Sequence, residues 1–145
     1  MKLVVQRSKQ ASVEVDKKVV GSIDNGLVIL VGFTPGDTVE DIDYLIDKVV
    51  HLRIFDDQDG VMNCSLLDIK GSVLSISQFT LYADTKKGRR PSYVHAMKGE
   101  EAVSLYQLWN QKLASFVPVE TGIFGAEMKV NLINDGPVTI ILESR

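Results

Sequence analysis

The chain has 145 residues, which fits one domain over residues 1–145 whose core buries about two-thirds of the surface that the unfolded chain exposes. Its 16 basic and 19 acidic residues give a net charge of −3 and exclude a generic nucleic-acid-binding protein, while its single cysteine excludes an intrachain disulfide and a cysteine-based zinc site. No apolar run is long enough to cross a bilayer, and the N-terminal segment is too short for a signal sequence, so we expect a soluble cytoplasmic protein.

The first third of the chain has the alternation that is typical of strands. Residues 2–6 have strand-like composition, residues 11–16 alternate between apolar and polar, and residues 27–31 are apolar on both faces. Lys17-Lys18 and Asn25-Gly26 lie between these segments, and Asn-Gly supplies the positive φ that a tight turn needs. We therefore predict a β-meander.

A helix is predicted after this meander. Thr38 and Asp41 are spaced as in a capping box, which is a signal for a helix start. The apolar residues that follow recur at helical spacing, namely Val39, Ile42, Leu45, Ile46, Val49 and Leu52. The charged residues between them are predicted to face water, namely Glu40, Asp41, Asp43, Asp47 and Lys48.

The acidic segment 56–60 invites comparison with a calcium-binding loop. With Gly60 at the sixth loop position, the first and twelfth ligands would be Phe55 and Leu66, which cannot bind calcium. We therefore predict a hairpin turn between strands at 53–55 and 62–65.

Segment 73–82 is predicted to be a strand that is buried on both faces. Both of its faces are largely apolar, yet Ser77, Gln78 and Thr80 interrupt them. Buried polar groups need partners. These three residues therefore either line a site or mark the end of the strand.

A basic loop follows this strand. Lys86, Lys87, Arg89 and Arg90 place four cations within five positions. Such a run is either a solvated loop or a contact for phosphate groups.

A second helix is predicted over 99–116, followed by two strands at 128–133 and 138–142. A break at 134–137 separates these strands, and Gly136-Pro137 is a turn by default, because few X-Pro bonds are cis. The helix residues predicted to be buried are Ala102, Leu105, Leu108, Trp109, Leu113 and Phe116.

No conventional catalytic machinery is visible in the sequence. The two histidines, His51 and His95, fall late in the first helix and just before the second, and no nucleophile elbow, HExxH motif, phosphate-binding loop or dinucleotide fingerprint is present. An enzyme of this sequence would have to use orientation and backbone N–H donors on an activated ester. Thr80 is the one hydroxyl to test as a nucleophile.

Two separated segments resemble the signature motifs of the D-aminoacyl-tRNA deacylases. These are Ser77-Gln78-Phe79-Thr80-Leu81-Tyr82-Ala83 and Asn134-Asp135-Gly136-Pro137-Val138-Thr139. Segments 6–13, 87–92 and 122–128 also fall where that family has similar sequences. The resemblance therefore runs essentially from end to end.

The resemblance implies an α+β fold, a β-rich barrel-like domain with two flanking helices, assembled as a homodimer. It also implies an ester hydrolase that releases D-amino acids from the 3′-terminal adenosine of tRNA, and glycine mischarged on tRNA(Ala). In that family a cis Gly-Pro peptide from one subunit enters the active site of the other and rejects L-amino acids. Neither a cofactor nor a metal is implied, and neither a DNA nor a membrane partner is expected.

The same resemblance assigns roles to residues of this chain. Gly136 and Pro137 would form the chiral filter, with Arg7 supporting their loop, and Met128 would form a pocket wall. The pocket floor would comprise Ser77, Gln78, Phe79 and Thr80. Thr80 would act either through its hydroxyl or through its backbone N–H; the absence of a placed base favours the N–H, with the ribose 2′-hydroxyl helping to activate water.

Two other hypotheses remain open at this stage. A non-catalytic RNA-binding module would use the basic loop, Lys86 to Arg90, and would bind tRNA without cleaving an ester. A purely structural β protein would have to treat Ser77, Gln78 and Thr80 as incidental.

Overall fold

The computed structural model describes all residues, 1–145, as a six-stranded sheet, a two-stranded hairpin and two flanking helices. The sheet contains β1 (Lys2–Val15), β2 (Lys18–Ile23), β3 (Gly26–Gly32), β6 (Ser72–Ser77), β7 (Val119–Thr121) and β8 (Lys129–Glu143). The hairpin is β4 (Phe55–Asp56) with β5 (Met62–Cys64), and the helices are α1 (Val39–His51) and α2 (Gly99–Leu113). The α+β class, the two helices and the hairpin are as predicted.

The predicted β-meander is wrong in its topology. Residues 2–15 form one long strand, and both β2 and β3 pair antiparallel with it. The two pairings share one register: Ala11 lies opposite Ile23, and Ser8 lies opposite Gly26. The single turn of this long hairpin is at Asp16 and Lys17, whose φ angles are 51° and 64°. This turn is one residue earlier than predicted.

Gly26 serves a different purpose from the one that the sequence suggested. A Cβ at this position would lie 1.9 Å from the carbonyl oxygen of Ser72, the first residue of the parallel strand β6. Glycine therefore lets β6 approach β3 closely and does not form a hairpin turn there.

The sheet curls until it nearly closes. From β3 it continues through the parallel strands β6 and β7. β7 then comes back against β2, where a Cβ on Gly21 would lie 2.7 Å from the carbonyl oxygen of Thr121. The result is the predicted barrel-like sheet.

The C-terminal strand differs from the two strands predicted. β8 is a single strand that pairs with β1, but Gln6 faces Thr139 while Ser8 faces Asn134. Residues 135–138 therefore bulge out opposite Arg7, and we call this segment the Gly-Pro bulge. Its Gly136–Pro137 peptide is cis, as the family resemblance implied, and not the trans turn expected by default.

The largest apolar cluster lies between the sheet and the two helices, and Trp109 of α2 is fully buried in it. The sequence wrongly placed Phe116 there: α2 ends at Leu113, and Phe116 is 51% exposed. Tyr106 is buried instead. Neither α1 nor α2 has the length and the hydropathy that a membrane-spanning helix needs.

Asp41 is the exception among the charged residues of α1 that were predicted to face water. It is only 7% exposed, because its carboxylate accepts a 2.8 Å hydrogen bond from the Thr38 backbone N–H and is paired with Arg145. The hydrogen bonds from Arg145 hold the pKa of Asp41 well below its usual range. The capping box predicted from Thr38 and Asp41 is thus confirmed and is reinforced by an ion pair.

Asp41→Ala is expected to lower the free energy of unfolding by about 1–2 kcal/mol at neutral pH, because it removes both the cap and the ion pair. Since the pKa of Asp41 is lower in the folded chain than in the unfolded one, this stabilisation is complete above about pH 4 and is lost as the pH falls toward the folded pKa. Urea unfolding from pH 7 to pH 2 measures this difference, with exposed Asp47→Ala as control. A difference that grew on acidification would contradict the assignment.

Candidate active site

The segment that the sequence singled out contains both a strand and a helical turn. β6 ends at Ser77, and the backbone N–H of Gln78 makes a last 2.7 Å bond to the carbonyl of Val31. Phe79–Tyr82 then form one 3₁₀ turn, so the strand predicted to continue to Tyr82 stops five residues earlier. The polar residues therefore mark a strand end, and Ser77 and Gln78 also line a cleft.

This cleft has a volume of about 260 Å³ and walls that are mainly apolar. β3 and β6 form its floor, and α2 and the segment before β8 form its sides. The residues lining it are Val31, Phe33, Ile76, Ser77, Gln78, Phe79, Met97, Ala102, Phe124, Gly125, Ala126, Met128 and Val130. An apolar cleft with a few polar groups is typical of a site for a small organic group.

Phe79 exposes apolar surface at the cleft. Its side chain is 54% exposed, and its ring meets Tyr93 edge-on with 5.0 Å between the centroids. Phe124 lies on the opposite lining segment and is 38% exposed. Exposed aromatic rings of this kind can stack on a nucleobase.

The hydroxyl of Thr80 has no base beside it. It accepts a hydrogen bond from the side-chain amide of Gln78, and Thr80 itself does not line the cleft. The two histidines are elsewhere: His51 contacts Asp47 on α1, and His95 faces Asp84 at 4.0 Å. No side chain is therefore positioned to deprotonate Thr80.

The backbone at this turn offers donors. The first N–H groups of a helical turn have no hydrogen-bond acceptor within that turn. The N–H groups of Phe79 and Thr80 also have no acceptor among the backbone hydrogen bonds made outside helices and strands. Free N–H groups beside a cleft can stabilise a developing oxyanion.

Arg7 is buried away from the cleft and braces the Gly-Pro bulge. Its Nε donates to the carbonyl of Asp135 at 2.8 Å, and one terminal nitrogen donates to the carbonyl of Ile54 at 2.9 Å and approaches Asp56 at 3.3 Å. Only 8% of the residue is exposed. These bonds fix the root of the bulge to two neighbouring strands.

Gly136 and Pro137 are exposed at the tip of the bulge, and neither lines the cleft of its own chain. The structure thus brings together Ser77, Gln78, Phe79 and Met128, with Thr80 held behind them by Gln78. It leaves Arg7, Gly136 and Pro137 at a separate place on the same protomer.

Several cleft residues were not predicted to belong to a site, namely Phe33, Met97, Ala102, Phe124, Gly125 and Ala126. For Phe124, Gly125 and Ala126, the only indication in the sequence was that segment 122–128 resembles a segment of the deacylase family. The others come from α2 and from loops, and only the tertiary fold brings them to the cleft.

The basic loop projects from the 3₁₀ turn. Asp84 and Ser92 close its base with two backbone hydrogen bonds of 2.7 and 2.9 Å. Its four cationic residues are exposed, and none has an acidic partner within 4.0 Å. They are therefore available to phosphate groups.

Comparisons with known proteins identify the family and the fold of this chain. A family profile described as D-Tyr-tRNA(Tyr) deacylase matches residues 4–143. A solved structure described as "c-Myc DNA Unwinding Element Binding Protein" is 38% identical, with a TM-score of 0.95 over 100% of this chain and 99% of that one. Another, from a probable eukaryotic D-amino acid tRNA deacylase, has the same fold at 16% identity, with a TM-score of 0.84 over 98% of both chains.

The family profile defines a hydrolase that acts on aminoacyl-tRNA. The chain belongs to the D-Tyr-tRNA(Tyr) deacylase family. It is a D-aminoacyl-tRNA deacylase, and its reaction is hydrolysis of the ester between a D-amino acid and tRNA.

Proposed function

We propose that two copies of this single-domain chain form a homodimer in which each protomer completes the active site of the other. The observation that carries this proposal is the position of the Gly-Pro bulge. It is exposed and rigidly braced by Arg7, yet it lies outside the cleft of its own protomer. A two-fold axis would let each bulge enter the partner's cleft in the same way.

The bulge is suited to distinguish the two hands of an amino acid. At its tip, Gly136 has no side chain and Pro137 no N–H, so main-chain carbonyls can approach the α-carbon of a substrate closely. An L side chain would be directed into these carbonyls, whereas a D-amino acid would present its α-hydrogen. Glycine has no side chain, so glycine mischarged on tRNA(Ala) is also a substrate in this proposal.

The cleft is proposed to hold the 3′-terminal adenosine. Its volume and apolar walls fit a nucleoside, with Phe79, Phe124 and Met128 in contact with the base. Ser77 and Gln78 would then face the ribose and the ester.

Water is the nucleophile in the proposed reaction. The ribose 2′-hydroxyl helps to activate it, and it attacks the ester carbonyl carbon while the N–H groups of Phe79 and Thr80 hydrogen-bond the oxyanion. The bond from the carbonyl carbon to O3′ then breaks, and O3′ takes up a proton. The products are a free D-amino acid and tRNA, and these steps require neither a metal nor a cofactor.

The basic loop, Lys86 to Arg90, is proposed to contact the phosphates of tRNA, since its cations are exposed and unpaired. RNA is the expected partner rather than DNA, because the proposed chemistry uses a 2′-hydroxyl, which DNA lacks. The name of the 38% identical structure refers to DNA binding, so binding of DNA in addition to deacylation is the second candidate function.

The wild-type protein is expected to cleave D-tyrosyl-tRNA and glycyl-tRNA(Ala), and to cleave L-tyrosyl-tRNA at least about 100-fold more slowly. Release of labelled amino acid from each substrate measures the three rates. Equal rates for the two tyrosyl substrates would refute the chiral filter. Tight binding of DNA by the active enzyme would support the second candidate.

A further inference from the structure

The end of β6 that carries the active-site residues is supported unequally on its two sides. On the β3 side the pairing continues to Ser77, which faces Val31. On the β7 side the pairing stops at Ser75, which faces Thr121. The last residues of β6 therefore lack a neighbouring strand on that side.

Beyond the end of β7, side chains of helix α2 make hydrogen bonds to β6. The hydroxyl of Tyr106 donates a buried 2.8 Å hydrogen bond to the carbonyl of Ser75, to which Gly122 contributes only a long bond of 3.4 Å. Trp109 of the same helix donates through its indole N–H to the hydroxyl of Ser75 at 3.1 Å. Both contacts are to the residue two positions before Ser77.

Tyr106 also contacts the opposite side of the cleft. Its ring packs against Phe124 with 5.8 Å between the centroids, and Phe124 lines the cleft. The residue is 5% exposed, and burial raises the pKa of its hydroxyl, so the group remains a hydrogen-bond donor at physiological pH. One side chain thus joins the floor strand to an aromatic side wall.

We infer that Tyr106 is a positioning residue for the deacylation reaction. By holding the carbonyl of Ser75, it sets the position of Ser77 and of the following turn, and thereby the direction of the Phe79 and Thr80 N–H groups. It touches neither substrate nor reacting atoms. The inference rests on the proposed role of these N–H groups as oxyanion donors, since such donors stabilise charge only when they are held in the correct geometry.

Tyr106→Phe tests this inference because it removes one oxygen atom and keeps the ring that packs on Phe124. Single-turnover cleavage of D-tyrosyl-tRNA is expected to slow about tenfold, since small displacements of catalytic groups reduce rates steeply. The Kd for a non-hydrolysable amide analogue of D-tyrosyl-adenosine is expected to change less than about twofold, because the binding cleft keeps its walls. Tyr44→Phe is the matched control, since Tyr44 is 49% exposed on α1.

A cleavage rate within twofold of wild type would overturn the inference. So would a parallel loss of analogue affinity, cleavage rate and thermal stability, because that pattern describes a loosened core. An inactive wild-type protein would overturn the proposed function together with this inference. An active wild type beside an equally active Tyr106→Phe would overturn the inference alone.

Discussion

A substrate that lacks the 2′-hydroxyl of its terminal adenosine is expected to be cleaved at least about 100-fold more slowly than normal D-tyrosyl-tRNA, since general catalysis by a positioned group is worth that much or more. The reason is that no side chain near the cleft is placed to activate water or Thr80. Single-turnover deacylation of tRNA ending in 2′-deoxyadenosine measures the effect.

Thr80→Ala is the companion variant in that experiment. It keeps the backbone N–H that is proposed to bind the oxyanion and removes only the hydroxyl bound to Gln78. We expect Thr80→Ala to retain activity within about tenfold of wild type. Thr85→Ala, in the exposed loop, is the control and is expected to have the same activity as wild type. Full activity on the 2′-deoxy substrate together with an inactive Thr80→Ala would establish Thr80 as the nucleophile and contradict the proposed mechanism.

Gly136→Ala is expected to reduce cleavage of D-tyrosyl-tRNA about 100-fold, because a catalytic contact displaced by about 1 Å can cost that much. Gly136 has a φ of 136°, and a Cβ there would lie 2.8 Å from a side-chain carbon of Val138 and 3.2 Å from Arg7. The bulge must therefore shift, and its carbonyls leave their position. The measurement is the ratio of D-tyrosyl-tRNA to L-tyrosyl-tRNA cleavage, which should fall as well.

Gly60→Ala is a matched control for this substitution. Gly60 also has a positive φ, 76°, but a Cβ there would meet nothing within 4 Å, and the residue lies in the β4–β5 hairpin. It is expected to keep wild-type rates and selectivity. Equal losses in both variants would mean that backbone strain, and not the bulge, explains the result.

Local patterns predicted those parts of the fold that depend on neighbours in sequence. The capping box at Thr38 and Asp41 and the helical spacing after it were sufficient for α1. Helical spacing did not predict the C-terminal end of α2, because the helix ends at Leu113, well before Pro118. Periodicity describes which face is apolar but not where tertiary contacts end an element.

Pairings between distant segments could not be predicted in this way. Asn25-Gly26 has the composition of a hairpin turn, but Gly26 is required by the close approach of Ser72, 46 positions later in the sequence. The Gly-Pro bulge was likewise read as a turn between two strands, whereas β1 continues past it and holds both halves in one strand. Whether a segment forms a turn or continues as a strand depends here on which distant strand lies next to it.

The candidate site shows the same division. Ser77 and Gln78 stood out because polar residues interrupt an apolar segment, and both line the cleft. Phe124 and Ala102 carry no such signal, since apolar residues are common in any core. The resemblance supplied Gly136 and Pro137, which the cleft of one protomer does not contain.

Mixing two inactive variants shows whether each cleft is completed by the partner's Gly-Pro bulge. Gly136→Ala has an intact cleft and a displaced bulge, while Ala126→Trp is designed to fill the cleft and leave the bulge intact. After dissociation and random reassociation, half of the dimers contain one protomer of each kind, and each such dimer has one complete site. We predict that D-tyrosyl-tRNA cleavage returns to about a quarter of the wild-type rate. A mixture that stays as inactive as its two parents would mean that the bulge does not complete the partner's cleft.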